Sequence, residues 1–322
     1  MFRYAVVLVT LPLLACPAAR KPDVAHFRFV FEPDRSRSPA PSAGALLHDE
    51  SVLQERLRAL GTGTVREQDG KLVVEYSSPF TDASWHARFL LMGGRFELRI
   101  VDRHRFFDAL PAIDTALRLA GEPVPPSRSG NVVDQLGHAA GGGGVLSSLV
   151  LYGRAPGEFL VRDADEDQVD SLMARPRAIA LQPHGIVLRW GDEGVTRDGE
   201  HHRTLYALED SVILGNDALT ETVVRRDPGS GHAVVILLLT PLGSKELCVV
   251  THGHVRDYLA IVMDGRVVSR PPLITAAVCG GSAQIDFGDA SLETAENLAM
   301  ILRSGPLPLP LVLVEEGPVT PR

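Results

Sequence analysis

The chain has 322 residues, 45% of them hydrophobic and 22% charged, and a net charge of −8 at neutral pH. Such a length holds two core-bearing units of ordinary size, and the composition is that of a globular protein. The acidic balance leaves no basic excess to neutralise phosphates, which excludes a nucleic-acid partner, and 30 glycines with 23 prolines forecast many loops.

At the N-terminus, one positive charge at Arg3 precedes an apolar run over residues 5–15 that Pro12 interrupts. A spanning helix needs roughly 20 apolar residues, so the run reads as a secretory signal over residues 1–15. It ends Leu13-Leu-Ala-Cys16, which resembles a bacterial lipobox, although Leu14 stands where a small residue is usual. Cys16 is therefore the expected lipidation site and membrane anchor, with residues 16–24 as tether. The other two cysteines, Cys248 and Cys279, are expected as separate thiols: one lies on a predicted helix and one in a Gly-rich loop. An oxidising compartment would allow a disulfide.

Residues 25–31 alternate as a strand with Phe27, Phe29 and Phe31 on one face, followed by a Ser/Pro/Ala-rich loop over 35–44. A helix is predicted over 48–60, with Ser51 and Gln54 as capping box, Leu53, Leu57 and Leu60 on one face, and Gly61 as stop. Asp69-Gly70 leads into a strand over 72–76. Thr81 or Asp82 opens a helix over 83–92 that Gly93-Gly94 ends. Residues 95–101 alternate again, with Phe96, Leu98 and Ile100 inward. Strand, helix, strand, helix, strand predicts an α+β layer with helices on one side of a mixed sheet.

Residues 104–204 read as a loop-rich expanded connection. A helix is expected over 108–119 before the prolines at 123–126, and a loop over 127–144 ends in four glycines. Short strands are expected at 178–181 and 186–190, joined at 183–185, and a polar turn at 195–203. The acidic run 163–170 reads as a solvated surface with a short helix.

Further on, Val234-Val-Ile-Leu-Leu-Leu-Thr240 is a doubly buried strand and Thr240 opens a helix to about residue 251. Asp264-Gly265 separates apolar runs at 259–263 and 266–269, a tight β-hairpin. A strand follows at 283–287, then a helix over about 291–304 capped by Ser291 and stopped by Gly305-Pro306. Its stripe is Leu292, Ala295, Leu298 and Leu302, and a last strand closes the chain at 308–315.

The series Leu259-Ala-Ile-Val-Met-Asp-Gly-Arg-Val-Val-Ser269, then Gly280-Gly281 with Ala-Gln-Ile, then Ala295-Glu-Asn-Leu-Ala-Met-Ile-Leu-Arg-Ser-Gly-Pro-Leu-Pro-Leu-Pro310 resembles the large first periplasmic domain of SecD. SecD is a membrane subunit of the bacterial Sec protein-export machinery. Residues 56–61 and 96–99 match its base, though the family's Gly-rich motif at the first strand is missing from residues 23–31. His254 and Arg256 stand where relatives carry Asn and Gly just before Leu-Ala-Ile-Val.

The resemblance implies an α+β fold: a ferredoxin-like base of mixed sheet with helices on one face, interrupted by an inserted α+β head subdomain. The base would comprise 25–103 and the returning 291–315, and the head 205–290. It further implies a non-enzymatic accessory in protein export at the periplasmic face of the cell envelope. The implied partners are Sec translocon components or unfolded exported polypeptides. The chain is expected to lack the membrane helices that carry the ion pathway in full SecD, and so to bind without pumping. The alternative is a divergent envelope ligand-binding lipoprotein that kept the fold and lost the export role.

No catalytic, metal or cofactor set is expected. His252, His254 and Asp257 form the best metal-like cluster, unsupported by a second one at fixed spacing, and the adjacent His201 and His202 point apart on a strand. Ser230 lies between glycines without a nucleophile elbow. The tetraglycine lacks the Gly-Lys-Ser/Thr of a phosphate loop. The acidic run lacks the spacing of a calcium loop. Asp264 and Gly265 are explained by backbone geometry alone.

Overall fold

A computed structural model of the protein describes residues 25–37, 42–79, 82–125, 144–197, 199–286 and 292–318. Cys16, the leader around it, Ser291 as a helix cap and most of the glycine run lie outside them.

The base is built from β1 (Ala25–Pro33), α1 (Ala43–Leu60), β2 (Thr62–Gln68), β3 (Lys71–Ser78) and, from the far end of the chain, α7 (Leu292–Ser304) and β15 (Leu311–Pro318). The strand order is β15-β1-β3-β2. That is the ferredoxin-like arrangement, with its fourth strand supplied by β15. All three pairings are antiparallel; the parallel pair among the described strands lies elsewhere, so the base sheet itself is not mixed. Phe27, Phe29 and Phe31 share one core with Leu53 and Leu57 of α1 and Leu298 and Ile301 of α7.

Two expectations shift here. Helix α1 begins earlier than its periodicity indicates, because Ser42 caps it: the Ala45 N–H donates to Ser42 Oγ at 3.2 Å. Ser51 and Gln54 then sit inside the helix, and Gln54 Oε1 accepts the Val65 N–H (2.9 Å), pinning β2. Strand β2 has no sequence signature because Val65 is its single buried residue; its register comes from the β2–β3 turn, where Asp69 and Gly70 take φ of 54° and 75°.

After α2 (Ala83–Leu91), capped by the Asp82 carboxylate, the chain leaves the base. Strand β4 (Phe96–Ile100) does not join the base sheet as expected. It pairs with β12 (Leu259–Met263) and β9 (Leu214–Gly215), at one end of a separate eight-stranded sheet. Its two faces are both covered: Phe96, Leu98 and Ile100 enter the main core, while Glu97 and Arg99 are buried on the other side.

The described residues of 104–204 form a folded unit, not a loop-rich connection, while the loop expected over 127–144 lies outside the described residues except for Gly144. Helices α3 (Arg105–Leu119), α4 (Glu166–Met173) and α5 (Pro176–Leu181) accompany β5 (Val150–Tyr152), β6 (Glu158–Arg162), β7 (Ile186–Arg197) and the first half of β8 (Glu200–Glu209). They enclose a core of their own that includes Phe106, Leu110, Ile113, Phe159, Val161 and Leu205. Residues 178–181 form part of a helix, not a strand, because Pro176 sits at its first turn with a preset φ. The polar stretch 195–203 runs through a β-hairpin rather than a turn, and a register shift between Trp190 and Gly194 disguises it. Strand β13 (Arg266–Val267) pairs parallel to β7, with Val267 beside Gly191. The long sheet therefore runs β5-β6-β8-β7-β13-β12-β4-β9.

A three-stranded sheet, β10 (Leu219–Arg226), β11 (Ala233–Leu239) and β14 (Ser282–Asp286), completes the chain. Central β11 buries Ala233, Val234, Val235 and Leu237, as its unbroken apolar run requires. Helix α6 (Pro241–Gly253) is capped by Thr240, whose Oγ1 accepts the Gly243 N–H at 3.1 Å. Cys248 and Cys279 form a disulfide with Cα atoms 4.5 Å apart, which overturns the expectation of separate thiols. The Gly-rich loop is folded onto α6, where Thr251 Oγ1 accepts the Val278 N–H (2.9 Å). None of the described helices is long and apolar enough to cross a membrane.

At the resemblance's point of departure, Arg256 has φ 79°. That left-handed conformation costs a side chain roughly 1–2 kcal/mol, whereas glycine takes it freely at a smaller entropic cost. Arg256→Gly is expected to raise the denaturation midpoint by up to about 1 kcal/mol of stability; a loss of stability would show that the Arg256 side chain makes contacts worth more than the strain.

Candidate functional site: a groove between the base and the long sheet

The chain crosses from base to head at Gly93-Gly94 and returns at Gly305. A short network holds the two crossings together. The Leu307 N–H donates to the Gly93 carbonyl (2.7 Å), and Asn216 bridges Gly94 and β4, donating to the Gly94 carbonyl and accepting from the Phe96 N–H, both at 2.9 Å. The Asp264-Gly265 turn, with φ of 50° and 82°, is brought against the same place. The Asp264 backbone N–H donates to the Arg95 carbonyl and its carboxylate accepts the Arg95 N–H, both at 2.9 Å. Asp264 therefore does more than close a hairpin. A Cβ on Gly93 would stand 2.5 Å from Asp264 Oδ1, so a side chain there would push the carboxylate away from the Arg95 N–H.

Beneath the crossings lies Arg56, fully buried. Its guanidinium donates to the Leu90 carbonyl (2.8 Å), the Gly305 carbonyl (3.1 Å), Ser304 Oγ (3.0 Å) and the Met92 carbonyl. Burial pushes its pKa down to about 10, while Asp264 and Asp49 pull it back up. It stays charged at neutral pH.

Above this frame the base and the long sheet leave an open groove of about 570 Å³. One wall is the extended segment 307–311 with Leu91; the other is the Asp264-Gly265 turn, the outer residues of β4 and Arg189 of β7. Burial would raise the Glu97 carboxyl, but Arg99 and Arg95 together hold it below its ordinary value. Arg99 meets Glu97 at 2.7 Å and the Glu209 carbonyl at 3.1 Å. The groove was not legible in sequence. Arg95, Glu97 and Arg99 alternate along the chain, which reads as an outward solvated face, and only the fold buries Glu97 and Arg99 there while Arg95 stays exposed.

Under the groove wall, Asp49 of α1 accepts the Leu309 N–H at 3.4 Å. Burial pushes its carboxyl up to about 7, against that hydrogen bond and Arg56, which lower it. A carboxyl that holds its proton more tightly in the native state than in the unfolded chain binds protons on folding. Stability from this group therefore falls as pH rises from about 4 to 7 and is flat above. Asp49→Asn is expected to add on the order of 4 kcal/mol at pH 8 and little at pH 4. His86, whose pKa burial lowers, acts with opposite sign, but comparing each variant with its parent at the same pH removes its effect. A gain from Asp49→Asn that is equal at both pH values would refute the assignment.

The sequence-singled polar residues are dispersed. His254 Nδ1 lies 2.9 Å from Asp257, while His252 is exposed at the end of α6. His201 is exposed and 2.8 Å from Asp163; His202 is buried on the other face of β8. Among the described residues no group of three His, Cys, Asp or Glu could hold a metal ion. The Ser230 hydroxyl donates to Asp227 at 3.2 Å in a turn. The acidic run forms α4 with its preceding turn, and Asp165 pairs with Arg162, Glu166 with Arg203 and Asp170 with the Trp190 N–H.

Residues 193–309 match the family model of the SecDF P1 head subdomain. Protein translocase subunit SecD of Rickettsia felis is 39% identical over 128 residues, which is 39% of this chain and 24% of that protein. SecD of Rickettsia conorii is 36% identical, over 43% of this chain and 25% of the relative. Protein translocase subunit SecDF of Thermus thermophilus is 43% identical over 28% of this chain and 12% of its own length. The chain thus spans about a quarter or less of these relatives.

Two solved structures share the fold at 23% identity: SecDF in its super-membrane-facing form (TM-score 0.53, covering 90% of this chain and 30% of that one) and SecDF as a membrane component that enhances protein export (TM-score 0.50, covering 89% and 98%). Residues 193–309 of this chain are thus similar to a SecDF P1 head subdomain, and the chain shares its fold, with a base of ferredoxin-like strand order, with SecDF structures.

Proposed function

We propose that this protein acts in protein export outside the cytoplasmic membrane, where it binds extended polypeptide or Sec translocon components and carries out no chemistry on them. The observation that carries this reading is the groove between base and long sheet, about 570 Å³ and open along one side. Its volume suits a few residues of extended chain and not a folded domain. One wall, residues 307–310, alternates leucine and proline, offering apolar side chains and few backbone donors. Likeness to translocase subunits supports the setting. In the same reading residues 1–15 direct export and Cys16 carries a lipid anchor; labelling with radioactive palmitate is expected to mark the chain and to leave Cys16→Ser unmarked.

The test is a photo-crosslinking residue at Leu307, half-buried on the groove wall. Adducts with an exported precursor or a Sec subunit are expected in envelope preparations, and should vanish when the same probe is moved to exposed Leu119 on α3. Equal adducts from both positions, or none from Leu307, would remove the proposal.

A further inference from the structure

The groove carries an imbalance of charge that its apolar walls do not explain. Four arginines, Arg37, Arg95, Arg99 and Arg189, border it against two carboxylates, Glu97 and Asp264. Both carboxylates are already engaged: Glu97 by Arg95 at 2.8 Å and Arg99 at 2.7 Å, Asp264 by the Arg95 N–H at 2.9 Å. Among the described residues Arg189 is thus left with no carboxylate partner and Arg37 with a single distant one, in a chain whose net charge is −8. Arg37 reaches only Asp34, at 3.9 Å, and is three-quarters exposed. Arg189 donates from Nη1 to the Leu188 carbonyl (2.9 Å), while its Nε is buried with no hydrogen-bond partner among the described residues.

That Nε is closed off from solvent, so an incoming group meets the half-buried remainder of the guanidinium that borders the groove, for which a planar carboxylate is the best-fitting acceptor. Leu91, Leu307 and Leu309 line the same groove. We propose that the groove selects extended polypeptide segments in which an acidic side chain sits among apolar ones, with Arg189 and Arg37 receiving the carboxylate. This rests on the polypeptide-binding reading above and names its substrate class. A phosphate headgroup shares the chemistry, but an acidic chain is repelled by an anionic membrane surface, and the position lies between two walls instead of on a convex face.

The test uses the full chain and three fluorescent heptapeptides of one apolar framework, with a central Glu, Gln or Lys, followed by anisotropy at low and moderate salt. The Glu peptide is expected to bind about tenfold tighter than the Gln peptide, and Arg189→Gln to abolish most of that preference. Arg37→Gln, an exposed change that leaves the fold intact, should reduce it severalfold, and salt should weaken binding of the Glu peptide alone. Equal binding of Glu and Gln peptides would overturn the acid preference while leaving polypeptide binding standing. Failure of all three peptides would remove both proposals together. Arg189-dependent sedimentation with phosphatidylglycerol vesicles, without binding of the Glu peptide, would overturn it in favour of a lipid headgroup.

Discussion

Replacing Cys248 and Cys279 together by serine is expected to destabilise the head by about 3–4 kcal/mol. The disulfide closes a loop with a sequence separation of 31 residues, and for that length the loss of unfolded-chain entropy alone reaches about this value. Inside the loop lie the end of α6, the left-handed Arg256, all of β12 and β13, and the segment before β14. The bond thus holds the path by which the chain leaves one sheet and returns to another. Weak ties remain without it: the Val278 N–H to Thr251 Oγ1 and the Leu239 N–H to the Gly281 carbonyl, at 2.9 and 3.0 Å. Calorimetry of the parent with and without reductant should show a fall of roughly 10 °C in the melting temperature, matched by the double variant and absent when reductant is added to it. If the parent melts at the same temperature after full reduction, the entropic account of this staple is wrong.

Arg56→Met is expected to cost on the order of 3–5 kcal/mol, the range for breaking a buried, hydrogen-bonded charge. The methionine fills much of the volume, so the loss isolates the polar contacts. Without the guanidinium the carbonyls of Leu90, Met92 and Gly305 lose the donor that brings the end of α2 and the end of α7 to α1. Each is a helix-terminal carbonyl of the kind that requires an outside donor. Asp49 and Asp264 lose a cation that both of them face. Arg56→Lys keeps the charge but, with three donors on one atom, cannot reach all four acceptors, so an intermediate loss is expected. Urea midpoints at unchanged slope are the measurement; an Arg56→Met protein within about 1 kcal/mol of the parent, well below the cost of a broken buried charge, would show that Gly93-Gly94 and Gly305 are held by packing alone.

The contrast between these two sites shows why part of the molecule could be read early. Disulfide partners are decided by where a loop lies, and nothing local in residues 270–281 places that loop on α6. Arg56 looks like one more charged residue on an amphipathic helix. Its burial follows from the two glycine crossings: a Cβ on Gly94 would stand 2.9 Å from its guanidinium, and the Gly305 carbonyl that it meets is 249 positions away in the chain.

Strands β1, β11 and β12 and helices α2, α6 and α7 were readable from periodicity and caps, because each buries one recurring face or one unbroken apolar run. Strand β2 was not, since Val65 alone is buried and Asp69-Gly70 supplies its register. Within 104–204 the helix over 108–119, the short helix of the acidic run and the strand at 186–190 were readable; the rest was not, because β7 and β8 pair across a register shift and their polar residues never alternate cleanly.

By itself the sequence determined the class of fold, the return of the last helix and strand to the base, and the likeness to SecD, because these depend on patterns local to a few turns of chain and on motifs kept in order. Only the tertiary structure decided that β4 belongs to the long sheet, that Cys248 meets Cys279 and that four arginines converge on one groove. Those outcomes depend on contacts between residues far apart along the chain, whose charges and side-chain volumes take on meaning only once the two sheets have closed around Arg56.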